Sequence, residues 1–304
     1  ASGEPEAVVF NSSRKVEVRG SLGSASLPAG LELAIDNALA GRTVEQVVSG
    51  RGVRLSLGEI ASLDDPRFAS TRGFTFVFVG SIDTVAIMPL IEKYIASLPA
   101  AGKVEQAKDL NINIPAGIIE RTVYKGTEAK ANVNLVFSGP FEYNFGDKIK
   151  MEALKETLQI RLIERLREEE GGVYSPGVRM GIAKLPQGRF SLTISFGCAP
   201  ENVDKLVASS LDEIEKIKAT GPVPVNLDKF KAETQRSIEL SLKSNGFWLG
   251  YLSGQLQNNE SLDQIDGYTK QLGSITTADV KDIAGKYLSG KNYIKLVLLP
   301  QKAE

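Results

Sequence analysis

The sequence predicts an α+β protein of two domains, each a mostly antiparallel sheet with helices packed on one face. Three observations predict it. Runs rich in Val, Ile and Phe, above all FTFVFV at 74–79, alternate with stretches whose apolar residues recur every three or four positions. The 304 residues exceed the usual domain size of roughly 100 to 200 residues. A Pro-, Gly- and polar-rich break around PAAGKVEQAKDLNINIPAG divides the chain, giving a first domain at 1–100, a linker at 101–119 and a second domain at 120–304.

From Ala7 the pattern is short and β-like: AVVF, then KVEVRG with Val16 and Val18 alternating against charged residues. Ser26 can cap a helix in which Pro28 suits the first turn and Leu31, Ile35 and Leu39 share a face until Gly41. A short helix over Thr43 to Val48, a strand at VRLSL and a loosely helical GEIASLDDPRF, broken by Pro66, follow. FTFVFV is apolar without alternation, which predicts a strand buried on both faces in a central position. A helix then runs from Thr84 to Leu98, closed by Pro99-Ala-Ala-Gly. The glycine in this strand-turn-helix lacks the spacing and the Lys-Ser/Thr of a phosphate-binding loop.

Beyond the linker a strand pair is expected, Glu120 to Tyr124 and Ala131 to Phe137. Next comes KMEALKETLQIRLIERLREEEGGVYSPGVR at 150–179, where Met151, Leu154, Leu158, Leu162 and Leu166 mark one face of an amphipathic helix. Gly171-Gly172 should stop that helix and Val173-Tyr174-Ser175 should start a strand. A turn at Leu185-Pro-Gln-Gly188 leads to a strand at Arg189 to Phe196, then to a helix at Glu201 to Ala219 with a clear apolar stripe. Helices at Asp228 to Lys243, Phe247 to Asn258 and Leu262 to Leu272 precede a capping start at Thr276-Thr-Ala-Asp279, a helix to Tyr287 and a strand YIKLVLL at 293–299. A helix leading into a buried strand thus occurs before FTFVFVG and again near the end, as a weak internal duplication would produce.

Composition narrows the function. The chain is 42% apolar, its longest apolar run is far short of the ~20 residues that cross a bilayer, and its formal net charge of −1 gives no pull toward nucleic acid or anionic lipid. A water-soluble, cored protein is expected. ASGEPEA carries no charged start plus apolar core of a secretory signal. There is no histidine, which excludes Ser-His-Asp and Cys-His catalysis and any imidazole zinc site within this sequence. The single Cys198 reads as a buried, inert thiol. Glu32 and Asp36, one turn apart, have a spacing two metal ligands can use, but two carboxylates without imidazole hold zinc poorly and read as a solvated face.

Three segments resemble the pitrilysin or insulinase-type zinc peptidases, the inverted-motif metallopeptidase family. FTFVFVGSID with PLIEKYIASLP resembles the strand and helix that close a catalytic-type domain, KGTEAKANVNLVFSGP the opening of the next domain, and RLIERLREEEGGVYSPGVRM its signature helix and strand. The resemblance covers about 72–304, with 120–304 similar to one complete C-terminal-type domain and 1–100 an incomplete or divergent one. It is strongest toward bacterial members built as long, exported, multi-domain chains, which implies a periplasmic or exported location.

In that family one domain holds zinc through His-x-x-Glu-His, and a C-terminal-type domain contributes an Arg and a Tyr seven residues apart. The matching positions here are Arg167 and Tyr174. The resemblance implies accessory roles for them: the guanidinium grips a peptide carbonyl or carboxylate, and the phenol hydrogen-bonds the oxyanion. With no histidine in the sequence, zinc is expected in a partner domain or subunit and none here. The reading is a non-catalytic part of a zinc endopeptidase that forms half of a peptide-binding chamber, inactive alone, in a homo- or heterodimer or a longer chain. The alternatives are a catalytically silent scaffold on the same fold and a peptide-binding module.

Overall fold

Two separate sheets account for the strands of the computed structural model, which describes residues 6–11, 16–19, 71–100, 102, 104 and 108–301. Contacts group the chain into one unit of Ala1–Gln106 with Glu239–Glu260 and another of Ala107–Ile238 with Ser261–Glu304. Residues 239–260, placed by the sequence in the second domain, therefore cluster with the first unit. The expected elements between Ser26 and Phe68, including Leu31, Ile35 and Leu39 and the carboxylates Glu32 and Asp36, lie outside the described residues.

In the first unit β1 (Glu6–Asn11) pairs antiparallel with both β2 (Val16–Arg19) and β3 (Thr75–Gly80), in the order β2-β1-β3. FTFVFV is thus a strand, but it ends the described ladder and is only partly buried, not central and doubly covered. A continuous apolar run also suits an edge strand when other parts of the chain cover its side chains. The helix Asn245–Gln257 packs on β3 from far downstream, a pairing no local window reads. The turn after β3 is capped: Asp83 Oδ1 accepts from Val85 N at 2.9 Å and Ala86 N at 3.0 Å. This opens α1 (Thr84–Tyr94), which buries Ile87, Ile91 and Tyr94 and stops short of the predicted Leu98.

The second unit holds a five-stranded sheet built from β4 (Ile118–Tyr124), β5 (Ala131–Pro140), β6 (Gly177–Ala183), β7 (Arg189–Cys198) and β8 (Tyr293–Leu299), ordered β4-β8-β5-β7-β6. The expected β4/β5 pair does not form. β8 lies between them, parallel to β4 and antiparallel to β5. β4 is exposed along almost its whole length, the burial of an edge, whereas β5 is buried or half-buried through most of its length, as an inner strand is. The β6-turn-β7 hairpin forms as the sequence predicts.

One face of this sheet is the core. Ala131, Val133, Leu135 and Phe137 of β5 and Phe190, Leu192, Ile194 and Phe196 of β7 point into it, while Asn132, Asn134, Ser191, Thr193 and Ser195 alternate onto the other face. The helices on the core face are α2 (Phe145–Leu162), α3 (Val203–Thr220) and, beyond α4 (Pro224–Ser241), α5 (Asn245–Gln257) and α6 (Gln264–Ser274), α7 (Thr277–Tyr287). α2, α3 and α7 pack against one another, and Met151, Leu154, Leu158 and Leu162 of α2 are fully buried, as their spacing predicts. α2 begins before the predicted Lys150, because Asn144 Oδ1 accepts from Asp147 N at 2.8 Å. At α7 the predicted cap is reciprocal: Thr276 N donates to Asp279 Oδ2 at 2.9 Å, and Asp279 N to Thr276 Oγ1 at 3.2 Å.

The linker region is irregular but tied down. Arg189 Nη1 donates to the Ile112 carbonyl at 2.7 Å, and Gln187 Nε2 to Asp109 Oδ2 at 3.1 Å. Two substitutions separate core from cap in urea unfolding. Leu158→Ala should lower stability by about 2 to 5 kcal/mol through a cavity, and Thr276→Ala by about 1 kcal/mol through loss of the cap.

Candidate functional site

The path from α2 to β6 carries both predicted site residues, and it differs from the expected helix-stop-strand. After Leu162 the turn widens into a π-helical stretch, Ile163–Glu169, with Glu170 N donating to Arg165 O at 3.1 Å. The stripe continues through it, since Leu166 is fully buried. Gly171 then takes φ +61°, the left-handed conformation that favours glycine, and a Cβ on Gly172 would lie 2.9 Å from Leu206 Cδ2. The glycine pair ends the helix as expected, one for backbone sign and one for close packing.

Val173-Tyr174-Ser175 is a loop, and β6 starts only at Gly177. Gln159 anchors the entry from α2: its amide donates to the Pro176 carbonyl at 2.8 Å and accepts from Val178 N at 2.6 Å, on the side of the chain away from β7. Pro176 itself has no N–H to give a ladder. β-propensity alone could not show this. Val173 tucks into the core, and its neighbour Tyr174 is left 88% exposed.

Arg167 and Tyr174 meet across this corner. The guanidinium carbon lies 5.8 Å from the centre of the Tyr174 ring, within cation–π range. Two of the three glutamates that follow Arg167 are engaged elsewhere. Glu169 pairs with Arg165 at 3.0 Å, and Glu170, only 7% exposed, accepts from Ser209 Oγ at 2.6 Å and faces Lys205 Nζ at 3.3 Å. Arg165 Nε is 2.8 Å from Glu170, near enough for an ion pair but not aligned as a hydrogen bond. One turn earlier Arg161 Nε reaches Glu213 at 3.0 Å; that carboxylate is 1% exposed and also meets Lys216 at 2.9 Å. These pairs brace the π stretch against α3 and leave Arg167 with the ring as its partner among the described residues.

Burial pushes the Glu170 carboxyl up, but the Ser209 hydroxyl, Lys205 and Arg165 outweigh it and hold the group below its ordinary value. Cys198 is buried and its thiol is pushed up by burial, then by Glu201, the opposite of an activated nucleophile. A feature the sequence reading missed is a cleft of about 520 Å³ between α2, β6 and α4, with Glu152, Arg179 and Phe230 in its wall. Nothing in local periodicity marks it, because its residues come from three elements. The described residues contain no group of three or more Cys, Asp or Glu able to hold a metal, and the sequence has no histidine. The donor set does not fit zinc.

A family model described as the peptidase M16 inactive domain matches residues 67–236, more than half of the chain. The chain belongs to that family. The pitrilysin/insulinase resemblance therefore stands, and the protein is an M16 inactive domain of the kind found in zinc protease-like proteins. Its curated relatives include the probable zinc protease PqqL of Escherichia coli, 26% identical over 82% of this chain, and a zinc protease PQQL-like protein of Arabidopsis thaliana, 27% identical over 60%. The chain spans only 27% and 20% of those two proteins. Among solved structures, the periplasmic protease PqqL from E. coli superposes with TM-score 0.68 at 20% identity, covering 90% of this chain and 31% of that one. An M16 inactive domain from Pseudomonas fluorescens gives 0.61 at 19% identity, covering 82% and 59%. These likenesses carry the M16 fold, an α+β unit with helices on one face of the sheet.

Removing Arg161 takes one of two cations from the buried Glu213 carboxylate and leaves it Lys216: Arg161→Ala is expected to lose about 1.5 to 3 kcal/mol in chemical denaturation. For Glu170 the sign is set by its lowered folded value. Its contribution is full above the ordinary glutamate range and disappears as pH falls through the folded value. Glu170→Gln should therefore destabilise the chain at neutral pH, and its deficit against the parent protein should shrink in urea titrations at about pH 3.

Proposed function

We propose that this chain is a non-catalytic part of a zinc metalloendopeptidase, forming half of a peptide-binding chamber and assisting hydrolysis at a zinc held by a separate domain or subunit. The observation that carries this reading is the exposed Arg167–Tyr174 pair on a braced corner, in a chain without histidine. An exposed phenol can donate to the oxyanion that forms as water adds to a peptide carbonyl. The neighbouring guanidinium can hold a peptide carbonyl or carboxylate and orient that ring. Neither group activates water, so turnover requires the partner.

In this reading 120–304 acts as the C-terminal-type domain, 101–119 as the linker and 1–100 as a divergent companion domain. The partner is a zinc-bearing M16 half, in the same polypeptide or in another, and the substrate is a peptide. That the similar E. coli protein PqqL is a periplasmic protease supports a periplasmic or exported setting.

A cleavage assay with a quenched fluorescent peptide tests the proposal. The chain alone should not turn over, and addition of an M16 half bearing His-x-x-Glu-His should give zinc-dependent cleavage. Tyr174→Phe should lower kcat of the complex by about 10²-fold, the scale of losing one oxyanion donor, and Arg167→Ala should act in the same direction. Turnover by the isolated chain would overturn the non-catalytic assignment. An unchanged rate in the double variant would overturn the two residue roles.

A further inference from the structure

The strand β6 ends the sheet: it pairs with β7 from Gly177↔Ser195 to Ala183↔Arg189 and with no other strand among the described residues. Val178 N turns away from β7 and is taken by Gln159 Oε1 at 2.6 Å. In an antiparallel ladder every second residue aims both its N–H and its C=O outward. Met180 and Ile182 share the parity of Val178, so the edge offers two donors and two acceptors in a row.

Directly beside this edge lies the cleft of about 520 Å³. Val178 and Met180 of β6 and Phe230 of α4 give it an apolar floor, and its charged wall comes from Glu152, Lys155 and Glu156 of α2 and Arg179 of β6. Lys155 and Glu156 form an ion pair with each other. Glu152 has no cation within ion-pair distance among the described residues; its one hydrogen bond is from the Tyr268 hydroxyl at 3.4 Å. Burial raises its carboxyl against the pull of Lys148 and Lys155, neither of which lies within ion-pair distance.

We propose that the β6 edge and this cleft bind an extended peptide segment that adds as a further strand and places a lysine or arginine side chain against Glu152. Successive side chains of an added strand alternate, so one in two enters the cleft. A long cationic side chain suits it: its methylenes lie on Val178, Met180 and Phe230 and its charged head meets the carboxylate. The inference rests on the peptide-holding role proposed above, but it uses residues other than Arg167 and Tyr174.

Fluorescence anisotropy with the whole chain tests it. The probe is a labelled, terminally blocked peptide of alternating valine and threonine with arginine at its centre. Two comparators carry norleucine at the centre, or N-methyl groups on two successive residues so that one faces β6 in either phase. The arginine peptide should bind saturably, the norleucine peptide about tenfold more weakly as a charge-assisted contact is lost, and the N-methylated peptide not measurably. Glu152→Gln, with its melting temperature checked, should bring the arginine peptide to the norleucine affinity. Equal affinity for the arginine and norleucine peptides, full affinity of the N-methylated one, or no saturable binding would overturn the proposal. If the variant fails to fold, the peptide comparisons on the parent chain still decide. Arg167→Ala should leave this affinity unchanged, so a failure of the catalytic-assistance reading shows in the cleavage assay alone.

Discussion

A single amide side chain, Gln159, sets the geometry between the main helix and the sheet. Its carbonyl oxygen and amide nitrogen clamp Val178 and Pro176, two residues apart at the entry to β6, and so tie the start of that strand to the helix. The residues between the helix end and that point are loop. Val173 is drawn inward and Tyr174 outward, and Arg167, one position past the buried Leu166, comes within reach of the ring. The same clamp uses up one outward-facing group of the edge strand and leaves the next ones open.

Around this corner the charges serve position more than net attraction. Buried ion pairs return little stability once desolvation is counted, but they are costly to break singly. Arg161 with Glu213, and Glu170 with Lys205 and Ser209, join the widened turn to α3 at fixed points. A π-helical turn has poorer internal bonding than an α-helix and persists where its surroundings over-determine it. The leucine stripe on one side and the ion pairs on the other do so here.

Much of the fold was legible in the sequence, because period and capping are local. The stripe from Met151 to Leu166, the Thr276–Asp279 box, the β6–β7 turn and the alternation of β5 all stand where their residues place them. The errors are non-local. Nothing in YIKLVLL says that it separates β4 from β5, nothing in FTFVFV says that a helix from beyond residue 240 covers it, and nothing in Val-Tyr-Ser says that the strand waits until Gly177. Of the site, the spacing of Arg167 and Tyr174 was visible and carries the family resemblance. Their contact is a product of the corner, and the cleft beside β6 is assembled from three elements no window spans.

The position of β8 also has a bearing on how the chain is made. Residues 293–299 occupy the second place in the sheet, yet they leave the ribosome after every other strand described. Until they arrive β4 has no hydrogen-bonding neighbour, and β5 shows a long unpaired edge with Val133, Leu135 and Phe137 beside it. Such an edge invites pairing with other nascent chains. Closure of the sheet therefore waits on the last of its own five strands, and until then this polypeptide has an edge to be kept from its neighbours.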